Sequence, residues 1–301
     1  MAKPPLHTCF PNAHEDAARS TRFVESAQTR SKSYMLAYND PEFMMSDALR
    51  PVRLQLELLK PELVQQEHDI QATVVIFGGT RVPEEHIARE RLVEAENRAA
   101  EDPNSETCRC RIKSAQRVLA KAHYYEEARK LGRMLSEVCL VGLGCNLVVL
   151  TGGGPGIMEA ANRGAHDAGA KTMGLNIVLP HEQEPNPYIT PELCFQFHYF
   201  SIRKMHFLMR AQALVAFPGG FGTLDELFET LTLIQTKKIK PLPVLLFGRK
   251  FWEKAINFEF LLEEGVIDPD DLNIFRYVET AEEATRIILE STTDSLEKPG
   301  F

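Results

Sequence analysis

Cysteine is scarce: six thiols (Cys9, Cys108, Cys110, Cys139, Cys145, Cys194) are scattered over 301 residues. That is too few for a disulfide scaffold, and reduced thiols of a cytoplasmic protein are expected. Cys108-Arg-Cys110 is the one close pair, and no second pair completes a zinc site. His123, His166, His181, His198 and His206 show no metal spacing and read as surface or polar-network residues. No metal and no organic cofactor is expected. Long apolar runs are also missing, none approaching the ~18 to 20 residues of a membrane helix, and residues 1–20 carry Glu15, Asp16 and two histidines instead of an apolar leader. No membrane partner is expected. Nor is there an excess of positive charge: 34 Lys and Arg stand against 42 Asp and Glu, a net charge of −8, and the pI is near 5.7. This argues against a nucleic-acid partner, although a local basic patch can still hold a small anion.

What the chain does have is regular alternation. Residues 1–40 are polar and are expected to add little to a core and to be mobile. In the segment 41–70, Leu49, Val52, Leu56, Leu59 and Leu63 recur at helical spacing, which predicts a helical extension of one or two helices interrupted at Pro61. From residue 71 to 301 one domain is expected. It opens with an apolar, β-branched strand, Ala72 to Phe77, closed by Gly78-Gly79-Thr80. The charged stretch 83–122 breaks at Asp102-Pro103-Asn104 and reads as a solvated helical insertion. Further strands are expected at 146–150, 172–178, 213–217 and 243–247, separated by helices, with one helix from Trp252 to Glu264 and a closing strand and helix through Ile288. Such spacing predicts an α/β, Rossmann-like, doubly wound parallel sheet with helices on both faces.

Two glycine-rich turns fall where ligands bind in such a sheet, beyond the carboxyl ends of the strands. The first is Thr151-Gly152-Gly153-Gly154-Pro155-Gly156, and the second is Pro218-Gly219-Gly220-Phe221-Gly222-Thr223. Each leads into a predicted helix, so backbone N–H groups would face an anion such as phosphate. Neither has the spacing of a dinucleotide fingerprint or a P-loop, which disfavours a nicotinamide oxidoreductase and a P-loop NTPase. Asp225 and Glu226 follow the second turn and are expected in the first turn of its helix, where at least one would complement the helix dipole. Arg203 and Lys204 open a predicted helix, 201–210, one crossover away, so a guanidinium and a carboxylate could converge on one ligand.

Pro218-Gly-Gly-Phe-Gly-Thr-Leu-Asp-Glu226, with Arg203-Lys204 upstream, resembles the signature of the Lonely Guy (LOG) family. Gly152 to Gly156 followed by Ile157-Met158-Glu159-Ala160, and Gly174 to Pro180 followed by Pro185-Asn186-Pro187-Tyr188, look like its longer bacterial branch. The resemblance covers about Ala72 to Glu264. It implies hydrolysis of a nucleoside 5′-monophosphate, either a cytokinin riboside monophosphate or an ordinary purine or pyrimidine nucleotide, to free base and ribose 5-phosphate. It implies Arg203 and Glu226 as the catalytic pair. It further implies that Lys204, the turn Gly220 to Thr223, Thr232 and Glu182 bind substrate, and that the protein is a homo-oligomer, a dimer or higher. Gly152, Gly153, Gly154, Gly156 and Gly219 complete the expected phosphate cradles. The chain departs from the family in reading Gly78-Gly79-Thr80-Arg81 where a serine commonly follows the first glycine, and in carrying the 83–122 insertion. Proteins with this signature have also been labelled lysine decarboxylases, but no Schiff-base lysine with a partner for a pyridinium nitrogen stands out. The competing reading is a nucleotide or molybdenum-cofactor carrier or sensor, which would not need Arg203 with Glu226. A DNA-binding module of the same fold is discouraged by the net charge.

Overall fold

A computed structural model describes residues 11–21, 24–102, 105–140, 147–180 and 184–297. The chain divides into two units, residues 1–63 and 64–301. In the first unit, α1 (Ala13–Arg19) and α2 (Pro41–Met45) bury no residue, and three short 3-10 turns join them to α3 (Arg50–Glu67). Helix α3, which crosses the division, is one continuous helix with Pro61 inside it. The interruption expected at Pro61 is absent, so this helix absorbs a lost backbone donor that more often ends one.

The second unit is built on seven parallel strands: β1 (Ala72–Phe77), β2 (Leu147–Thr151), β3 (Thr172–Ile177), β4 (Cys194–Phe197), β5 (Ala211–Ala216), β6 (Val244–Phe247) and β7 (Phe275–Val278). Their order in the sheet is β4-β3-β2-β1-β5-β6-β7. Helices α4 (Glu85–Glu101), α5 (Glu106–Leu119) and α6 (His123–Leu140) join β1 to β2. Helix α7 (Ile157–Asp167) follows β2, α8 (Phe200–Leu208) precedes β5 and α9 (Phe221–Gln235) follows it. Helices α10 (Arg249–Ala255) and α11 (Phe258–Glu263) join β6 to β7, and α12 (Ala281–Glu297) ends the described chain. This is the Rossmann-like α/β fold read from the sequence.

Two details differ. Cys194 to Phe197 pairs with β3 as an edge strand that the sequence reading missed, because four residues offer too few alternations to stand out. The helix expected from Trp252 to Glu264 is two helices, broken where the Asn257 side chain accepts from the Phe260 N–H and starts α11.

Strand alternation divides the core. Val74 and Ile76, with Val215 and Leu245, point to the face covered by α6, α7 and α12. Val75 and Phe77, with Leu214 and Leu246, point to the face of α8, α9, α10 and α11, where Trp252 and Phe207 are fully buried. Helices α6 and α7 approach so closely that a Cβ on Gly164 would lie 1.9 Å from the Arg129 carbonyl oxygen, and one on Gly132 would lie 2.2 Å from that of Ala161.

The chain moves outward from β1 through β2 and β3 to β4, then returns to place β5 on the other side of β1. The crossover leaving β1 packs α6 on one face of the sheet and that leaving β5 packs α9 on the other, which places a crevice at the carboxyl ends of these strands.

Candidate active site

Three strand-end loops meet at that crevice and are tied by backbone hydrogen bonds. Phe217 N–H donates to Phe77 O (2.8 Å), Gly79 N–H to Pro218 O (2.9 Å) and Ile157 N–H to Gly79 O (3.2 Å). Arg163 on α7 also holds Glu84, beyond β1, through Nη1 to Oε1 at 2.6 Å. The loops wall a cavity of about 770 Å³ whose floor carries Arg203 and Glu226.

Glu226 is only 6% exposed. Burial pushes its carboxyl up to about 7, against the opposing charges of Lys204 and Arg203. Helix α9 begins at Phe221 and has no acid in its first turn, so Asp225 and Glu226 sit in the second. The cap role expected for one of them is corrected: starting the helix two residues earlier moves both acids past the N–H groups they would have complemented.

Arg203, on α8, donates from Nε to the Leu175 carbonyl of β3 at 2.8 Å. Its guanidinium lies 5.0 Å from the Phe207 ring centroid and 5.9 Å from that of Phe200. Burial lowers its pKa, with the Glu226 charge opposing. It also faces a second cavity of about 200 Å³, on the side of Gly152, Gly154 and Asn176.

The two glycine turns do different work. A Cβ at Gly152 would meet Arg203 Nη2 at 2.7 Å, and one at Gly153 would meet Asn176 Oδ1 at 2.3 Å. Gly153 and Gly156 have φ of +76° and +74°, which other residues adopt only with strain, and a Cβ at Gly156 would lie 2.5 Å from Gly79 O. Asn186 seals the turn from outside, donating from Nδ2 to Gly153 O and Gly154 O, both at 3.2 Å. The first turn is thus largely filled by protein, Gly152 making room for Arg203. In the second turn, a Cβ on Gly220 or Gly222 would meet nothing within 4 Å. Gly219 packs against Thr223, and all four of Gly219, Gly220, Gly222 and Thr223 line the main cavity. The first N–H groups of α9 have no intrahelical partner, and no side chain caps them there.

Lys204 and Thr232 do not join them. Lys204 Nζ lies 3.0 Å from Asp225 Oδ2 and 2.9 Å from Glu229 Oε2, clamping α8 to α9. Thr232 donates to Phe228 O at 2.7 Å and lines a shallow depression on α9 with Phe221 and Phe228. Glu182 lies outside the described residues. The cavity also takes Arg81, Arg117 and Lys121, which the sequence reading left out. The signal available was the basic bias of α5, whose Arg109, Arg111, Lys113 and Arg117 face a single acid, Glu106. Among the described residues no cluster of three His, Cys, Asp or Glu could hold a metal ion, and no helix is long and apolar enough to cross a membrane.

A family model described as "Possible lysine decarboxylase" matches residues 158–288. The cytokinin riboside 5′-monophosphate phosphoribohydrolase LOG of Oryza sativa subsp. japonica is 31% identical over 166 residues, 54% of this chain and 65% of that protein. The probable cytokinin riboside 5′-monophosphate phosphoribohydrolase LOGL3 of the same species is 30% identical over 153 residues, 48% of this chain and 68% of that protein. The chain belongs to the LOG family. Like the first of these relatives, two others from rice are matched over less than two thirds of their length, 59% and 63%. Among solved structures, the molybdenum cofactor carrier protein of Chlamydomonas reinhardtii aligns at a TM-score of 0.40 and 18% identity, over 74% of this chain and 99% of that one. That likeness is too slight to bear on what this LOG chain does.

Proposed function

We propose that this protein hydrolyses the N-glycosidic bond of a nucleoside 5′-monophosphate, releasing free base and ribose 5-phosphate. The observation that carries the reading is the buried Glu226 carboxyl and the Arg203 guanidinium on the floor of a cavity whose rim is the open turn Gly220 to Thr223. The turn and the uncapped α9 terminus suit a 5′-phosphate. Anchoring there supplies binding energy remote from the anomeric carbon and fixes its position. As the C1′–N bond breaks, positive charge develops on the ribosyl ring, and the Glu226 carboxylate stabilises it and deprotonates the attacking water. Arg203 orients the substrate or assists the departing base. Cytokinin riboside monophosphates, named for the plant relatives, are one substrate class, and purine and pyrimidine monophosphates are the other.

The reading includes a homo-oligomer. Phe221, 92% exposed, and the half-exposed Met205 and Met209 suit burial against a second copy, and Thr232 would reach a nucleotide only from such a neighbour. The test is incubation with AMP, GMP, CMP, UMP and isopentenyladenosine monophosphate, following base and ribose 5-phosphate by chromatography. Release of base from at least one supports the reading. Nucleotide binding without release from any of them would replace it with a carrier or sensor.

A further inference from the structure

The main cavity holds more positive charge than one phosphate and the reacting bond require. Of its acids, Asp225 is held by Lys204, and Glu226 feels the charges of Lys204 and Arg203. Arg81, from the turn after β1, and Arg117 and Lys121, from the end of the insertion, line the same cavity, and none of the three has an ion-pair partner among the described residues. Lys121 is seated at the rim by Phe251, with Nζ 5.7 Å from the ring centroid. Ser114 and Val118 of α5 line both this cavity and an adjoining groove between α4 and α5 that carries Arg91 and Arg111 beside the Arg98–Glu94 ion pair. Arg81, Arg117 and Lys121, with no acid paired to them among the described residues, make an anion site of the main cavity, and several cations together suit a group of high charge density. The volume, about 770 Å³, leaves room beyond a single mononucleotide.

Resting on the reading of a nucleotide site, we infer that Arg81, Arg117 and Lys121 form a second anion subsite that recognises a further phosphoryl group on the nucleotide. The insertion that sets this chain apart is then a specificity element. Its basic end reaches over the cavity, while the rest of it remains a solvated helical hairpin. The second phosphoryl group can extend from the first, as in a nucleoside diphosphate, or sit on the ribose, as in a 3′,5′-bisphosphate.

The experiment is calorimetric binding of AMP, ADP, adenosine 3′,5′-bisphosphate and inorganic pyrophosphate to the full chain and to an Arg117→Ala/Lys121→Ala variant. Both residues are exposed, and circular dichroism checks the variant's fold. The full chain should bind ADP or the bisphosphate about tenfold more tightly than AMP, as expected for one or two charge-assisted contacts. In the double variant that ratio should fall to about one, and Arg117→Lys/Lys121→Arg should restore it. Whichever of ADP and the bisphosphate shows the preference locates the second group. A ratio near one in the full chain, or an unchanged ratio in the alanine variant, overturns the inference. Hydrolysis is not read, and pyrophosphate carries neither base nor ribose. Its binding, lost in the alanine variant, would uphold the subsite even if no monophosphate were cleaved, while its failure to bind the full chain would count against the subsite alone.

Discussion

At the scale of single residues, Glu226 is the most consequential placement. A carboxyl held near 7 by burial is half ionised at neutral pH, so if its ionised form is the working one, kcat/KM should rise with pH through about 7 in the free enzyme, measured from pH 5 to 9. Glu226→Gln should abolish turnover while leaving AMP affinity within about tenfold, since the amide keeps the shape and loses only the charge. The same shift has a stability consequence. Because the folded state holds this proton up to about 7 and an unfolded carboxyl releases it near 4.5, folding takes up a proton between those values and stability falls as pH rises through the window. Glu226→Gln should therefore melt above wild type at pH 8, with the gap closing towards pH 4. An equal gap at both pH values would contradict the assignment. The two glycine turns give a paired test. Gly222→Ala projects into open cavity and should weaken AMP binding with the melting temperature unchanged. Gly152→Ala meets the Arg203 guanidinium and should lower kcat, with a smaller effect on binding.

Among elements, α6 and α7 depend on close backbone approach. A methyl at Gly164 would have to occupy the Arg129 carbonyl, so Gly164→Ala should cost about 1 to 3 kcal/mol in urea unfolding, as overpacking of a well-packed contact does. Most elements were legible from the sequence because long apolar runs and 3.6-residue periodicity report them directly: β1, β2, β5, α7 and α9 all fall within a few residues of expectation. The edge strand β4 and the divided α10 and α11 were not. A four-residue strand and a side-chain cap are local events that a periodicity window averages away. At the site, the glycines, Arg203 and Glu226 were visible as motif residues; the structure gathers Arg203, Glu226 and the glycines of the second turn in one cavity, while the first turn is packed against Arg203, Asn176 and Gly79. The separation of Lys204 from Arg203 was not visible, since adjacent residues on a helix point about 100° apart and only the packing of α8 on α9 decides which of them faces the cavity. Arg117 and Lys121 were hidden for a different reason: a charged stretch looks the same whether its end is solvated or folded back over a crevice.

Across the whole molecule, the sheet order places Arg203, Glu226 and the second glycine turn within the second unit, at the reversal between β1 and β5. A nucleotide bound there engages loops from both halves of the sheet and has no counterpart site in the unfolded chain. AMP at a hundredfold excess over its dissociation constant should thus stabilise the fold by about 2.7 kcal/mol, seen as a rise in melting temperature. No rise would argue against the nucleotide reading. The clamp made by Lys204 carries a last consequence. Arg203 and Glu226 ride on separate helices, but the residue beside Arg203 is pinned to the acids on either side of Glu226, at 225 and 229. The two helices are thereby coupled like the jaws of a fixed calliper, whose gap is set before anything is placed between them. On the proposed hydrolysis, such a site would have little to reorganise as charge develops on the sugar, and a catalyst of this build would need no closing lid to aim its groups.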